Sequence, residues 1–481
     1  MAASVKASRY LSETPEFTDT RDGSRRVIVY STREREGRVL DSRAWRNIKI
    51  GHLDEIPTRH IEDLLAVKIL VPSAENEARE VIAELARSRR CSRTLPVTII
   101  PSAYCQCSCV YCGQANARAR MNAANQNLLV GRIEKKLSWG KYEQLVISWF
   151  GREPLTGLRV IESLTPRLRA AAARFGCAYR AKAATNGLLL TEAVATPLVK
   201  SLGFKRVCVT LDGPADVHDR RRFRRSRRPT FHRTLRNLVA FARRQDLSEA
   251  VLAVRCNVDR ENRDRFPELL DILKNAGIHR RIALEIALVH DWDNSAGRDR
   301  PSPQEAAEWE MGALLAMFER EFVIHLLPSR CAPMCIALSQ DGELVDPYGV
   351  LFECSERCLL QRDFQALGRA GTGQNPFDNR FSIGDLRCGT DPSKRVLAGF
   401  YDRLRAGEFG ECAKCFLLPV CGGACPKSWF EGCRKPCPPM RYNLPQRLLM
   451  SHAIGSLAAC GVPDKLPQDT QEQFASPACV T

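Results

Sequence analysis

The stretch Tyr104-Cys105-Gln106-Cys107-Ser108-Cys109-Val110-Tyr111-Cys112 decides how the chain is read. Cys105, Cys109 and Cys112 stand at C-x3-C-x2-C spacing. Three thiolates from one loop can hold three irons of a 4Fe–4S cube and leave the fourth iron open to a small molecule. Zinc is the plainer alternative, but closed structural zinc needs four ligands, and no His or Cys follows nearby at finger spacing. Cys107 can stand in for a member of the trio only by making an awkward C-x-C pair. The run Leu95-Pro96-Val97-Thr98-Ile99-Ile100 before the loop reads as a strand.

Composition bounds the rest. The chain has 481 residues, enough for two to four domains and a large core. No apolar run is long enough to span a bilayer. The start, Met1-Ala2-Ala3-Ser4-Val5-Lys6, is not followed by an apolar signal region. No membrane association is expected, and the expected location is the cytoplasm. In a reducing compartment the 21 cysteines read as metal ligands rather than disulfides. They gather at 105–112, 331–358 and 412–437.

The formal charge of +17 favours an anionic partner, and seven arginines fall within Arg220–Arg228. That run reads as a site for nucleic acid or an acidic peptide, or as a solvated loop. Only Phe223 interleaves, which does not support a stacking platform for single strands. Because the run follows the fourth predicted barrel strand, it is expected at the barrel mouth, where it would capture an acidic peptide.

Residues 1–25 are polar and charged and read as a flexible arm. A small α+β extension is expected over 26–90. It has a strand at Val27–Ser31, a hairpin candidate at Glu36-Gly37-Arg38, helical spacing from Glu55 to Leu70 and a returning strand at Ile69-Leu70-Val71. A linking helix is predicted over Ala74–Arg89. From Val97 to about Val289 the patterns alternate. Strands are predicted at Val97–Pro101, Leu145–Phe150, Tyr179–Ala184, Arg206–Leu211, Val251–Val258 and Ile282–Leu288. Helices are predicted at Gln126–Leu137, Leu158–Phe175, Glu192–Leu202, Phe231–Arg244 and Asn262–Ala276. Such alternation argues for a parallel α/β sheet with right-handed crossovers. A further helix is expected over Gln304–Phe322.

Each motif follows a predicted strand. Gly151-Arg152-Glu153-Pro154-Leu155 follows the second, Thr185-Asn186-Gly187 the third, and Thr210-Leu211-Asp212-Gly213-Pro214 with His218-Asp219 and Arg222 the fourth. The fifth ends Arg255-Cys256-Asn257-Val258. With the cysteine loop, these segments resemble the radical S-adenosylmethionine (SAM) superfamily, whose segments read GGEPL, TNG and S/T-L-D-G…H-D-x2-R. Arg152 departs from that pattern, which has Gly there. The resemblance implies a partial (β/α)6 TIM-type barrel over 91–325 with its chemistry at the C-terminal strand ends. It implies SAM contacts at Gly151, Glu153, Asn186, Thr210, Asp212 and Arg255. A small residue at 151 would let backbone approach SAM, and the Glu153 carboxylate would accept from the SAM ammonium.

Beyond the barrel, Cys335-x13-Gly349-x4-Cys354, Cys412-x2-Cys415-x5-Cys421-x3-Cys425, Cys433 and Cys437 resemble the seven-cysteine signature of the SPASM domain. Ser382-Ile383-Gly384-Asp385 resembles its iGN segment. A cysteine-rich SPASM domain is thus expected over 326–440, followed by a C-terminal helix and tail over 441–481. The resemblance implies one auxiliary cluster on Cys331, Cys335, Cys354 and Cys425. It implies a second on Cys412, Cys415, Cys421 and Cys437, with Cys433 competing for the last place. Counting the loop cluster, that is about twelve irons per chain. A zinc ribbon at Cys412–Cys425 is the alternative. Cys91, Cys177, Cys208, Cys256, Cys460 and Cys479 are scattered and read mostly as small buried hydrophobes. Cys358 and Cys388 carry no assignment.

The implied enzyme is a radical SAM/SPASM maturase and oxidoreductase. It would reduce SAM by one electron and use the resulting 5′-deoxyadenosyl radical to abstract hydrogen. The expected partners are a precursor peptide or protein substrate and a one-electron reductant such as flavodoxin or ferredoxin. A crosslink is favoured over simple oxidation. Residues 26–90 resemble a winged-helix peptide-recognition element. An anaerobic sulfatase-maturase-type enzyme is the nearest rival. In those relatives an Asp follows the second SPASM cysteine as base, whereas here Ser355 and then Glu356 follow Cys354. A non-catalytic iron–sulfur or zinc protein binding nucleic acid is the rival from another class.

Overall fold

The computed structural model describes residues 4–54, 56–289, 300–329, 335–358, 380–432 and 435–459. Its centre is a sheet of six parallel strands: β7 (Thr94–Ile99), β9 (Gln144–Trp149), β10 (Ala178–Thr185), β11 (Phe204–Thr210), β13 (Val251–Val258) and β14 (Ala283–Leu288). They lie side by side in chain order, with Lys182 in register with both Ser148 and Arg206. Helices α4 (Ala123–Leu137), α5 (Leu158–Arg174), α6 (Glu192–Lys200), α8 (Phe231–Arg243) and α9 (Phe266–Asn275) connect them. The six predicted strands and five predicted helices are all present within a few residues.

Alternation along the strands separates the two faces. On β9, Leu145, Ile147 and Trp149 are buried in the main core with Leu164 and Leu168 of α5, while Ser148 faces the cavity described below. The short strand β8 (Cys107–Cys109) lies in the loop after β7. After β11 come α7 (Ala215–Arg221) and β12 (Arg222–Arg224), and β12 pairs with β8 in a separate two-stranded ribbon. Helix α10 (Pro303–Glu319) starts with a capping box between Ser302 and Glu305.

The barrel sheet does not stop at β7. Strand β15 (Glu343–Val345) pairs parallel to it, and β16 (Val350–Phe352), β17 (Ser382–Asp385) and β18 (Gly389–Thr390) continue the sheet antiparallel. The iGN-like segment is therefore a strand. The β15–β16 turn needs Gly349, which has φ +89° and would bring any Cβ within 3.1 Å of Asn125. Fully buried Glu343 locks this region to α4. Its carboxylate takes Arg132 Nε at 2.7 Å and Lys136 Nζ at 2.7 Å.

The N-terminus departs from expectation. Residues 4–25 do not form a free arm. Strands β1 (Val5–Ala7), β2 (Leu11–Glu13) and β3 (Phe17–Thr18) pair with later strands, β2 and β3 along successive parts of one edge of β4 (Arg25–Ser31). Tyr10 is fully buried between α3 (Glu77–Arg90) and α11 (Phe400–Arg405). The polar composition conceals this because each strand presents few apolar residues and borrows its core from elsewhere.

The hairpin turn is at 32–35, so Glu36-Gly37-Arg38 begins β5 (Glu36–Asp41) rather than forming the turn. Helix α1 (Ser42–Lys49), capped by Asp41, precedes α2 (Thr58–Ala66), and β6 (Leu70–Pro72) returns as expected. One face of β4, Val27 and Val29, packs on Trp45 and Ile48. Its other face, Ile28 and Tyr30, packs on Leu417 and on Leu444 of α12 (Met440–Ala459). The extension is thereby joined to the cysteine-rich region.

Candidate active site

The cysteine loop and the C-terminal ends of the strands enclose a cavity of about 210 Å3. Cys105, Cys107, Cys109 and Cys112 all line it, with Gly151, Asn186, Thr210 and Arg255. Four of the six expected SAM-contact positions thus face one space with the cysteine trio.

The two carboxylates do not. Glu153 is fully buried and accepts from Thr185 Oγ1 at 2.7 Å, the Asn186 amide at 2.7 Å and the Leu155 amide at 3.0 Å. It braces the end of β9 against the end of β10, and its oxygens are already engaged. Burial, then the charge of Cys105, push its carboxyl up to about 7. Asp212 is likewise fully buried, accepting from Tyr111 Oη and from the Asn257 amide at 2.9 Å. Both carboxylates stand behind the wall of the cavity rather than among its lining residues. Gly151 is required by the fold itself. Its φ is +106°, and a Cβ would stand 2.5 Å from Ile100 Cγ2 on the chain after β7.

Arg152, the departure from the Gly pattern, has a definite place. Its Nη1 donates to Cys112 Sγ at 3.2 Å and to the Gln114 carbonyl, tying the last loop cysteine to the turn after β9. On the opposite side, β12 pairs with β8 so that Arg222 stands opposite Cys109 and Arg224 opposite Cys107. Arg222 donates to Tyr111 Oη, which also accepts from Asn257 Nδ2 at 3.0 Å. Arg221 is buried and reaches Asp259 at 2.8 Å. The arginine run is therefore no simple mouth loop: part of it is a strand bonded to the cysteine loop. Only pairing between segments distant in sequence could reveal that.

The hydrogen bond from Cys107 is the main influence holding Cys105 down at about 6, helped by Arg152 and Arg222 and opposed by burial. Burial pushes Cys109 up to about 12, against Arg222.

Several lining residues were not foreseen. Lys182 on β10, Arg206 and Cys208 on β11, and Glu285 on β14 extend the cavity along the barrel interior, with Arg206 ion-paired to Glu285. Their inward placement follows from the period-2 alternation that also points Thr210 and Arg255 inward.

A second hollow, about 20 Å3, is lined by Cys412, Cys415, Cys421 and Cys437, with Arg441 Nη1 donating to Cys437 Sγ at 2.9 Å. Cys335 and Cys354 pack together, and Cys425 lies near enough for its charge to bear on the Cys354 thiol. Cys331, Cys433, Cys460 and Cys479 lie outside the described residues. Cys358 is buried with its thiol on the Ser355 carbonyl at 3.0 Å. Cys177 and Cys256 are buried as expected, but Cys91 is exposed, as is Cys388. Among the described residues, no group of three or more His, Cys, Asp or Glu is placed to hold a single metal ion.

The fold, a parallel partial barrel with a cysteine loop after its first strand, is similar to that of solved radical SAM structures. One such structure is that of anSMEcpe, an anaerobic sulfatase maturase. Its native structure with bound AdoMet matches with a TM-score of 0.54 at 16% identity, covering 75% of this chain and 100% of that one. The form with AdoMet and Kp18Cys peptide gives 0.53 at 16%, covering 75% and 99%. Streptococcus suis SuiB bound to precursor peptide SuiA matches at 0.44 and 16%, covering 90% and 98%, a likeness too slight to argue from. The sequence matches no protein-family model and no curated protein. Among the described residues, no helix is long and apolar enough to cross a membrane.

Proposed function

We propose that the chain is a radical SAM enzyme of the SPASM type that modifies a peptide or protein. One observation carries this reading: the cysteine trio and four strand-end positions of the SAM motifs line the same cavity. The donor set fits the group. Three cysteines of one loop suit a cube with an open iron, and two buried side-chain nitrogens of lining residues, Gln114 Nε2 and Arg152 Nε, have no hydrogen-bond partner in the protein. Bound there, a 4Fe–4S cluster and SAM supply one-electron cleavage of SAM and abstraction of hydrogen from the substrate. The chain's own residues position and enclose. Cys105, Cys109 and Cys112 are the ligands, and Arg152 fixes Cys112. Gly151, Asn186, Thr210 and Arg255 form the SAM wall, and Glu153 and Asp212 hold that wall rigid.

Auxiliary clusters are assigned to Cys331, Cys335, Cys354 and Cys425, and to Cys412, Cys415, Cys421 and Cys437. The common hollow of the second four supports Cys437 as its closing ligand. A one-electron carrier such as flavodoxin or ferredoxin supplies the reductant. The substrate is a ribosomally made peptide, and its modification is a crosslink rather than formylglycine formation. Against the sulfatase-maturing alternative, neither Ser355 nor Glu356 lines the cavity, and Glu356 is buried 3.6 Å from Lys427 Nζ. A peptide-holding role for residues 26–90 rests on their likeness to a recognition element, and binding of a synthetic leader to the intact chain tests it. For the enzyme itself, anaerobically reconstituted and reduced protein is expected to convert SAM to 5′-deoxyadenosine and methionine. Zinc in place of iron, or no 5′-deoxyadenosine from iron-loaded protein, overturns the reading.

A further inference from the structure

The buried arginines of the 220–228 run are absorbed by the cysteine loop, but the exposed ones are not. Arg225, Arg227 and Arg228 project on a turn built by hydrogen bonds from the Arg224 amide to the Arg228 carbonyl at 2.9 Å and from the Arg227 amide to the Arg224 carbonyl at 2.7 Å. The Arg225 amide donates to the Gln106 carbonyl at 3.0 Å, and the Val110 amide donates to the Arg221 carbonyl at 3.0 Å. The turn is thus bonded directly to the loop of Cys105, Cys109 and Cys112. Val110, between two of those cysteines, is 54% exposed. Exposed Arg220 joins the same stretch, its Nη1 3.6 Å from Asp216. Among the described residues, Arg225, Arg227 and Arg228 have no carboxylate within ion-pair distance. None of the four exposed arginines lines the cavity, whereas buried Arg222 does.

We propose that Arg220, Arg225, Arg227 and Arg228, with Val110 exposed beside them, form the docking surface for an acidic one-electron carrier protein. This rests on the radical SAM reading. The surface lies on the outside of the very loop whose cluster must be reduced, so a carrier seated there has a direct covalent and hydrogen-bonded route to it, through Gln106 and Val110. An exposed apolar residue amid like charges is the composition of a charge-steered docking patch. A peptide bound there would instead lie off the cavity wall where hydrogen abstraction takes place. The step moves one electron: the carrier is oxidised by one, the cluster is reduced by one, and no bond forms or breaks.

The test compares wild-type holoenzyme with R225Q/R227Q/R228Q and R225K/R227K/R228K. SAM cleavage is driven either by a photoreduced acidic flavodoxin or by dithionite. With flavodoxin at low salt, the Gln variant is expected to lose about tenfold or more in flavodoxin affinity, read by titration calorimetry, and in second-order rate, with both differences shrinking as salt rises and the Lys variant close to wild type. With dithionite all three are expected to be equal. An unchanged flavodoxin rate overturns the proposal. So does an equal loss with dithionite, which would make the turn a scaffold, or a change confined to the peptide KM, which would make it a peptide-capture loop. If the iron-loaded wild type yields no 5′-deoxyadenosine with dithionite, the enzymatic reading fails first and the docking proposal with it.

Discussion

Cys105, Cys109 and Cys112 face a cavity of about 210 Å3, whereas Cys412, Cys415, Cys421 and Cys437 surround a hollow of about 20 Å3. Both groups have a guanidinium on their last cysteine, Arg152 on Cys112 and Arg441 on Cys437. They differ in the number of cysteines proposed as ligands and in room. Three cysteines beside a large space suit a site that exchanges a small molecule. Four around a space too small for one suit a site closed to chemistry on its metal. Position in the fold follows the same division: the trio stands at the strand ends of the barrel, while the quartet lies among short helices against the N-terminal sheet.

The largest expected effect tests that division. Changing Cys105, Cys109 and Cys112 together to Ala should abolish SAM cleavage and remove about a third of the iron. Cys437→Ala should lower iron by up to a similar share yet leave substrate-independent SAM cleavage measurable. Iron analysis and 5′-deoxyadenosine formation check both, and loss of cleavage in Cys437→Ala to the level of the triple variant would break the comparison. Iron content and electron paramagnetic resonance should also show less damage from Cys433→Ala than from Cys437→Ala.

The next effect concerns how the two regions are joined. Glu343→Ala would strand Arg132 and Lys136, two cations that now share a fully buried carboxylate. Removing one partner of a buried ion pair costs about 3–5 kcal/mol. Denaturant unfolding should show a loss of that order; a loss under about 1 kcal/mol would mean that the strand pairing of β15 with β7 carries the junction alone.

A smaller effect should follow Arg152→Gly, which restores the pattern's residue. Hydrogen bonds to charged groups are worth about 1.5–3 kcal/mol, and removing a cation from Cys112 disfavours the more negative reduced cluster. The potential of the loop cluster should fall and the auxiliary ones stay put, as read by redox titration. An unchanged potential would make Arg152 a brace for Gln114 only.

The barrel was legible because its strands are runs such as Val251–Val258 separated by helical spacing, a pattern that local sequence carries in full. The grouping of the cysteines around two spaces was legible because their spacing is local as well. What remained hidden is what depends on contacts between distant segments. Motif likeness put Glu153 and Asp212 at strand ends but could not say that Thr185, Asn186, Tyr111 and Asn257 already occupy their oxygens. The β8–β12 pairing joins segments over a hundred residues apart, so the sequence offered the arginine run only as a peptide-capturing loop at the barrel mouth or a solvated one. The short strands at 5–18 found their partners the same way.

The smallest expected effect lies behind the barrel wall, where a pH response should separate framework from cavity. His218 is buried, its Nδ1 accepting from the Asp212 amide at 3.2 Å and its Nε2 standing 3.1 Å from Thr230 Oγ1. Burial first, then the charge of Arg222, hold its pKa down at about 4. The folded protein therefore keeps His218 neutral where the unfolded chain, with a pKa of about 6.5, takes up a proton. Between those two values the unfolded state binds more protons, so stability rises with pH and is lost on acidification from about 6.5 towards about 4. A shift of that size amounts to roughly 3 kcal/mol at full expression. His218→Gln keeps an acceptor and a donor but cannot titrate. Its thermal midpoint should fall less on acidification from pH 7 to pH 5 than that of the wild type, while near pH 7.5 it should be slightly less stable because of imperfect packing. Equal acid sensitivity in the two proteins would show that His218 is solvated or already charged in the fold, and the wall behind Asp212 would then be looser than the wall behind Glu153.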